Sequence, residues 1–304
     1  MKNGQIWYDV DGNDIQAHGG CIIKFGNLYY WYGEHKGGPN VPNSKVERVD
    51  VIGVSCYTSR DLVNWKYEGL ALEADKSDPE SPLHPSKVLE RPKVLYNEKT
   101  GKYVMWFHSD RADYQFARAG VAISDNPKGP FVFLRDFTPN KQDSRDMTVY
   151  KDKDGVAYLF HSANRNKTMN VARLTEDYTN VDGLFVSVLP DQEREAPALF
   201  FYDGMYYMIS SGCTSWNPNA ALYAECPHLM GKWKLIDNPL EGKDARITFY
   251  GQSAYIFEAE GAFYLMLDHW KPDSLRYSGY SILPIKVNPD KTLTVPWQDE
   301  WLGI

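Results

Sequence analysis

One pattern constrains this chain more than any other. A polar residue, a short apolar strand, a glycine-bearing turn and an aromatic-rich return strand recur five times along it. The copies are His18-GGCIIKFGNLYYWYGE, Glu90-RPKVLYNEKTGKYVMWFH, Asp146-MTVYKDKDGVAYLFHS, Glu195-APALFFYDGMYYMISSG and Gln252-SAYIFEAEGAFYLMLDH. Each reads as a β-hairpin turning at Gly26, Gly101, Gly155, Gly204 or Gly261, because alternating strands bounded by a Gly turn are the local signature of a hairpin. The intervals between starts leave room for a four-stranded sheet plus loops, since a propeller blade takes roughly 40–50 residues. Two second halves are also legible: Gly53-VSCYTSRDLVNWKYEG and Ala220-ALYAECPHLMGKWKLI each give a strand, a polar or Pro turn and a Trp-bearing outer strand.

The expectation is an all-β, five-bladed β-propeller spanning residues 1–304 as a single domain. A two-sheet sandwich is the alternative, but sandwiches seldom repeat one motif with a polar residue at the same phase. The polar, Pro-rich stretches Lys36-GGPNVPNSKVERVD and Glu73-ADKSDPESPLHPSK read as surface loops, and Ser281-ILPIKVNPDKTLTVPW reads as a closing strand pair.

Composition narrows the function. With 43% hydrophobic and 24% charged residues the chain has the makings of a large core. A formal charge of −7 argues against nucleic acid or an anionic membrane as partner. The excess of rings, 21 Tyr, 13 Phe and 9 Trp, suits strands and also surfaces that stack on sugars. Cys21, Cys56, Cys213 and Cys226 show no CxxC pair or metal-ligand spacing, so they read as structural thiols; no metal and no cofactor is called for. The N-terminus lacks an apolar signal core, and no stretch nears the roughly 18 apolar residues of a membrane span, so the chain as written reads as soluble.

In a propeller the first strand of every blade lines the central channel, so His18, Glu90, Asp146, Glu195 and Gln252 should converge at one mouth. Three carboxylates facing one funnel raise one another's proton affinity, which is costly unless something uses it. Paired carboxylates in an aromatic-lined pocket are the apparatus of glycoside hydrolysis; the plainer alternative is that they hold inter-blade hydrogen bonds or a central ion.

With the phrases DGNDIQAHGG, WYGE, ERPK, SRDMTVY, REAPALF and YGQSAY in place, the chain resembles glycoside hydrolase family 43, and within it the exo-β-1,3-galactanase subfamily, from about Trp7 to Trp297. The broader family uses a blade-one Asp as general base, a blade-three Asp that tunes the acid, and a blade-four Glu as the acid. The resemblance thus implies Asp146 as the tuning residue and Glu195 as the acid. Blade one departs from the pattern, reading Ala17-His18-Gly19-Gly20 where the Asp should stand. In the galactanase subfamily the resemblance implies that Gln252 fills the base role as an imidic-acid tautomer, with Glu90 also needed. The two glycines after His18 suggest close backbone approach to the sugar.

For substrate contacts the reading offers Glu34 and Arg91 as bidentate partners of sugar hydroxyls, and Tyr114 in the loop after blade two's second strand. Asn164 or Asn166, and Thr214, match subfamily positions that touch the terminal galactose. Trp216 and Trp270 could stack on a pyranose face or pack between blades. His18, His108, His161 and His269 occupy similar phases and are assigned no metal. The leading expectation is therefore an inverting exo-acting hydrolase of β-1,3-galactan, an oligo- or polysaccharide substrate. A β-xylosidase or α-L-arabinofuranosidase is the competing enzyme, and a carbohydrate-binding propeller without catalysis the competing class.

Overall fold

The computed structural model describes residues 1–41 and 47–304, so the middle of the blade-one connection, residues 42–46, lies outside the described residues. Five sheets follow the sequence repeats, four of them four-stranded and antiparallel and the fifth extended by one parallel strand. Blade one is β1 (His18–Phe25), β2 (Leu28–Glu34), β3 (Gly53–Ser59) and β4 (Lys66–Glu73). Blade two is β5 (Lys87–Asn97), β6 (Lys102–Arg111), β7 (Arg118–Ser124) and β8 (Val132–Phe137). Blade three is β9 (Met147–Lys151), β10 (Ala157–Ala163), β11 (Thr168–Leu174) and β12 (Val181–Val188). Blade four is β13 (Arg194–Tyr202), β14 (Met205–Gly212), β15 (Leu222–Cys226) and β16 (Lys234–Leu235). A two-residue strand β17 (Leu240–Glu241) runs ahead to pair in parallel with β21 (Leu293–Pro296) of blade five, whose other strands are β18 (Gln252–Ala259), β19 (Ala262–His269) and β20 (Gly279–Val287).

The inner strands β1, β5, β9, β13 and β18 neighbour one another in a closed ring, which is the five-bladed propeller the repeat demands. All five hairpin glycines, Gly26, Gly101, Gly155, Gly204 and Gly261, have positive φ between 59° and 82°, a conformation glycine adopts at no steric cost. Both outer pairs read from sequence are present as β3–β4 and β15–β16, and the C-terminal pair as β20–β21.

Stability comes from what lies between blades. Each of five apolar clusters is shared by two adjacent sheets, because a strand face buried on one side only must find a partner sheet. The blade-five to blade-one seam is the richest in Trp: Trp7, Trp31, Trp65 and Trp301 are all nearly inaccessible, with Trp31 5.2 Å from Trp65 and 6.0 Å from Trp7. The two ends of the chain meet there, where Trp301 donates to Leu62 O and its backbone N–H to Met1 O. Truncating a buried Trp to Ala costs about 3–5 kcal/mol, so Trp31 is the single side chain on which this seam most depends. Among the described residues no helix is long and apolar enough to cross a membrane.

Candidate active site

At three of the five inner strands the chain interrupts its ladder at the same point. Register shifts follow His18, Glu90 and Glu195, and the next residues, Gly19, Arg91 and Ala196, all take left-handed φ of 57°, 56° and 52°. A bulge of this kind re-aims a side chain at the end of a strand. At the mouth Glu90, Arg91, Asp146, Glu195 and Gln252 line one open cavity of about 250 Å³, together with Glu34, His108, Tyr114, Arg145, Asn166, Cys213, Ser215, Trp216 and Trp270.

His18 departs from the expectation that all five leading residues face the mouth. It is fully buried, its Nδ1 3.2 Å from Asp268 Oδ1, its Nε2 3.0 Å from the Tyr280 hydroxyl and its ring stacked on Tyr280 at 4.8 Å. Blade one supplies Glu34 from β2 instead. The glycine after His18 makes room for that carboxylate rather than for a sugar, since a Cβ on Gly19 would sit 2.5 Å from Glu34 Oε1. Gly20 is equally constrained, by Tyr32 O across the hairpin.

The cavity has two electrostatic sides. On the blade-one and blade-two side, Glu34 Oε2 pairs with Lys36 Nζ at 2.7 Å and Oε1 accepts the Arg91 backbone N–H at 2.9 Å. Burial nevertheless pushes the Glu34 carboxyl up. Glu90 accepts from the Tyr114 hydroxyl at 2.7 Å, lies 3.4 Å from His108 Nδ1 and 3.7 Å from Lys36. Burial alone would raise its pKa, but His108, Lys36 and Tyr114 hold it down to about 2. His108 Nε2 is 3.0 Å from Asp110; against the effect of burial, Asp110 and Glu90 lift His108 to about 9, so it stands between two carboxylates as an imidazolium.

On the other side, Glu195 has far less to compensate it. Burial first, then the charge of Asp146, push its carboxyl up to about 8, with Arg91, Cys213 and Gln252 opposing. A carboxyl raised by desolvation and a like charge is what a general acid near neutral pH requires. Asp146 is itself paired with Arg91 Nη2 at 3.1 Å.

Gln252 sits directly beside the acid. Its Nε2 donates to Glu195 Oε1 at 3.0 Å and to Ser211 Oγ at 2.9 Å, while Oε1 accepts from Arg91 Nη2 and, at 2.8 Å, from Trp270 Nε1. An amide has two donors and an acceptor oxygen with two lone pairs, so every position on Gln252 is occupied and its orientation is set. Arg91 is thus the hub of the site, reaching Asp146, Gln252 and Ser253 O. Lys93 lies buried beneath it, donating to Gly19 O at 2.6 Å and Arg91 O at 3.3 Å and so joining the bulges of blades one and two; burial pushes it down to about 8.

Of the expected contacts, Glu34, Arg91, Tyr114, Asn166 and Trp270 line the cavity. Thr214 does not: its hydroxyl bonds within its own loop, to Asn217 O and Asn219, and Cys213 and Ser215 on either side reach the cavity instead. Trp216 meets Trp270 edge-on at 4.9 Å and donates to Glu47 O at 3.0 Å, which fastens the blade-four loop to the blade-one loop across the mouth. Cys213 is therefore a pocket thiol, unlike the buried Cys21, Cys56 and Cys226.

Sequence reading gave His108 and Cys213 no role at the mouth and passed over Lys36 and Arg145. The signal for His108 was available, because hairpin register pairs Glu90 with His108, as it pairs His18 with Glu34 and Glu195 with Ser211. Glu90, His108 and Asp146 offer donor atoms within 4.8 Å of one another, the spacing of a metal site. In the structure each of the three also pairs through one atom, with Tyr114, Asp110 and Arg91 respectively, while the buried His108 Nδ1 has no hydrogen-bond partner.

The chain is similar to known glycoside hydrolases. A family 43 β-1,3-galactosidase solved with galactodeoxynojirimycin is 36% identical, with 99% of each chain covered and a TM-score of 0.92. An exo-β-1,3-galactanase from Phanerochaete chrysosporium solved with β-1,3-galactotriose is 32% identical over 98% of this chain and 67% of that one, with a TM-score of 0.88. A curated xylosidase/arabinosidase from Bacteroides ovatus is 35% identical over 100 residues, a stretch spanning 32% of this chain and 28% of the relative. The glycosyl hydrolases family 43 pattern matches residues 18–292, from the first residue of β1 to the last hairpin of blade five, and the chain belongs to that family.

Proposed function

We propose that this chain is an inverting, exo-acting hydrolase that releases galactose from the non-reducing end of β-1,3-galactan, the backbone of type II arabinogalactan, with residues 1–304 forming one catalytic unit. The observation that carries the reading is Glu195, a carboxyl raised to about 8 inside a cavity lined by Trp270 and Trp216, and therefore protonated at neutral pH. In this reading Glu195 gives its proton to the glycosidic oxygen, and Asp146 keeps that proton in place until then. Arg91, Glu34, Glu90 and Asn166 grip sugar hydroxyls, and the carboxylate pinned at about 2 is a poor proton acceptor near neutrality. In this reading Gln252 holds the attacking water, as the resemblance to the galactanase subfamily implies, and its Oε1 gives up the bond from Trp270 or Arg91 to do so.

Exo action has its own support. The Trp216–Glu47 bond and Lys36, 5.7 Å from the Trp216 ring, bring the blade-four and blade-one loops together at one side of the mouth, as a pocket that takes chain termini requires. The two solved relatives described above, which match over nearly all of this chain, act on β-1,3-linked galactose by name, and the partial match to a xylosidase/arabinosidase covers a third of it. The test is sugar release from β-1,3-galactan beside aryl xyloside and aryl arabinoside, with early products followed by proton NMR. Galactose appearing first as the α-anomer is expected; β-galactose first would overturn inversion, and preference for the aryl pentosides would overturn the substrate.

A further inference from the structure

The rim of the cavity on blade three turns on a segment that the proposed chemistry leaves unexplained. Asn164, Arg165 and Asn166 are three consecutive non-glycine residues in the left-handed region, with φ of 50°, 55° and 64°, a run that residues bearing a Cβ avoid. One carboxylate holds it. Asp143, in the segment leading into β9, accepts the Asn164 backbone N–H at 2.6 Å through Oδ1 and the Arg165 N–H at 2.8 Å through Oδ2, and the Arg145 guanidinium pairs with the same Oδ2. The two groups it organises, Arg145 and Asn166, both line the catalytic cavity, and Asn166 Oδ1 is buried without a hydrogen-bond partner.

We infer that Asp143 is a positioning residue for substrate recognition: it clamps the left-handed turn so that Asn166 presents an unpaired amide oxygen, beside Arg145, to a hydroxyl of the bound sugar. The inference rests on the glycosidase reading above and deepens it. A buried acceptor without a partner is a standing cost that a ligand donor removes. Asp143 needs both oxygens for the two backbone N–H groups, and the adjoining guanidinium keeps it ionised: burial would raise its pKa, yet Arg165, Arg145 and Asn164 bring it below the usual carboxylate range.

The test uses the full chain with Asp143→Ala, Asp143→Asn, Asn166→Ala and the double variant Asp143→Ala/Asn166→Ala. Amide hydrogen exchange at residues 164–166 should rise in Asp143→Ala while the strands of blade three stay protected; unchanged exchange there overturns the clamp. On β-1,3-galacto-oligosaccharide, Asp143→Ala should raise KM about tenfold, the worth of one lost hydrogen bond, with kcat within roughly threefold of wild type because no reacting atom is touched. Asp143→Asn should fall between, since its amide keeps one acceptor. Adding Asn166→Ala to Asp143→Ala should cost little more, as for residues acting through one another; fully additive losses, or a loss confined to kcat, overturn the inference. If wild type leaves β-1,3-galactan intact, the substrate proposal falls and hydrogen exchange still decides for or against Asp143. If the Ala variant does not fold, Asp143→Asn carries both measurements.

Discussion

Glu90 and Glu195 start from the same local design and end in opposite states. Each lies at a bulge on an inner strand, each is followed by a left-handed residue, and each lines the same cavity. Glu90 is surrounded by an imidazolium, an ammonium and a phenol and is held at about 2; Glu195 has burial and Asp146 against it and rises to about 8. The contrast teaches that the strand end delivers a carboxylate to the mouth, and the neighbouring strands choose its role. On β6, His108 stands opposite Glu90, with its own partner Asp110 two residues further along the strand, whereas on β14 the position opposite Glu195 is Ser211, which has no charge to give.

The hardest blow to that contrast is Glu195→Gln, which keeps shape and hydrogen bonds and removes the transferable proton. We expect turnover of unactivated galactan to fall by about 10²–10⁴-fold with binding largely retained. Kinetics paired with isothermal titration check it, and activity within about tenfold of wild type would end the assignment.

Gln252→Ala comes next, with a loss we expect to be comparable and little rescue by azide. If instead Gln252→Ala is near normal while Glu90→Ala is dead and azide restores it, Glu90 is the base and the contrast has been read the wrong way round.

Asp146→Asn should sharpen the contrast. Removing that negative charge lowers the proton affinity of Glu195, so the alkaline limb of the kcat/KM profile, set in wild type near about 8, moves to lower pH and the rate near neutrality drops by about tenfold. A profile that does not move makes Asp146 a substrate-binding or structural residue.

His108→Gln has the smallest expected effect and acts on the other carboxylate. His108 is raised from an unfolded value near 6.5 to about 9, so its stabilising contribution is complete below about pH 6.5 and disappears as pH climbs through about 9. Glu90 runs the other way: its contribution is complete above an unfolded value near 4.3 and is lost as pH falls toward about 2. The variant should lose the decline in Tm between about pH 6.5 and 9, melt lower by about 5 °C at neutral pH, and show the acid-side loss of stability at higher pH than wild type. Identical Tm curves for the two proteins would mean that the imidazolium does not hold Glu90.

Much of this was legible before any coordinates. The five hairpin glycines marked five blades because a left-handed turn between alternating strands has few other uses, and all five adopt that conformation. Glu90, Asp146, Glu195 and Gln252 could be placed at one mouth because propeller symmetry brings equivalent strand ends together. His18 had the same phase and failed to follow, since a neighbouring-blade carboxylate, Asp268, and a Tyr280 ring drew it into the wall. Thr214 likewise spends its hydroxyl inside its own loop.

By itself, then, the sequence determined the repeat, the number of blades and which residues begin each inner strand, because these depend on local alternation and on turn chemistry that acts within a few residues. Only the tertiary structure decided which carboxylate holds a proton, which way Gln252 faces, and that Asp143 clamps the turn bearing Asn166. Those outcomes depend on burial and on groups contributed by residues 18 to 250 apart in the chain, as in the pairs Glu90–His108, Asp143–Arg165 and His18–Asp268, and the energy of a charge is set by everything within a few ångströms of it, whatever its distance along the sequence.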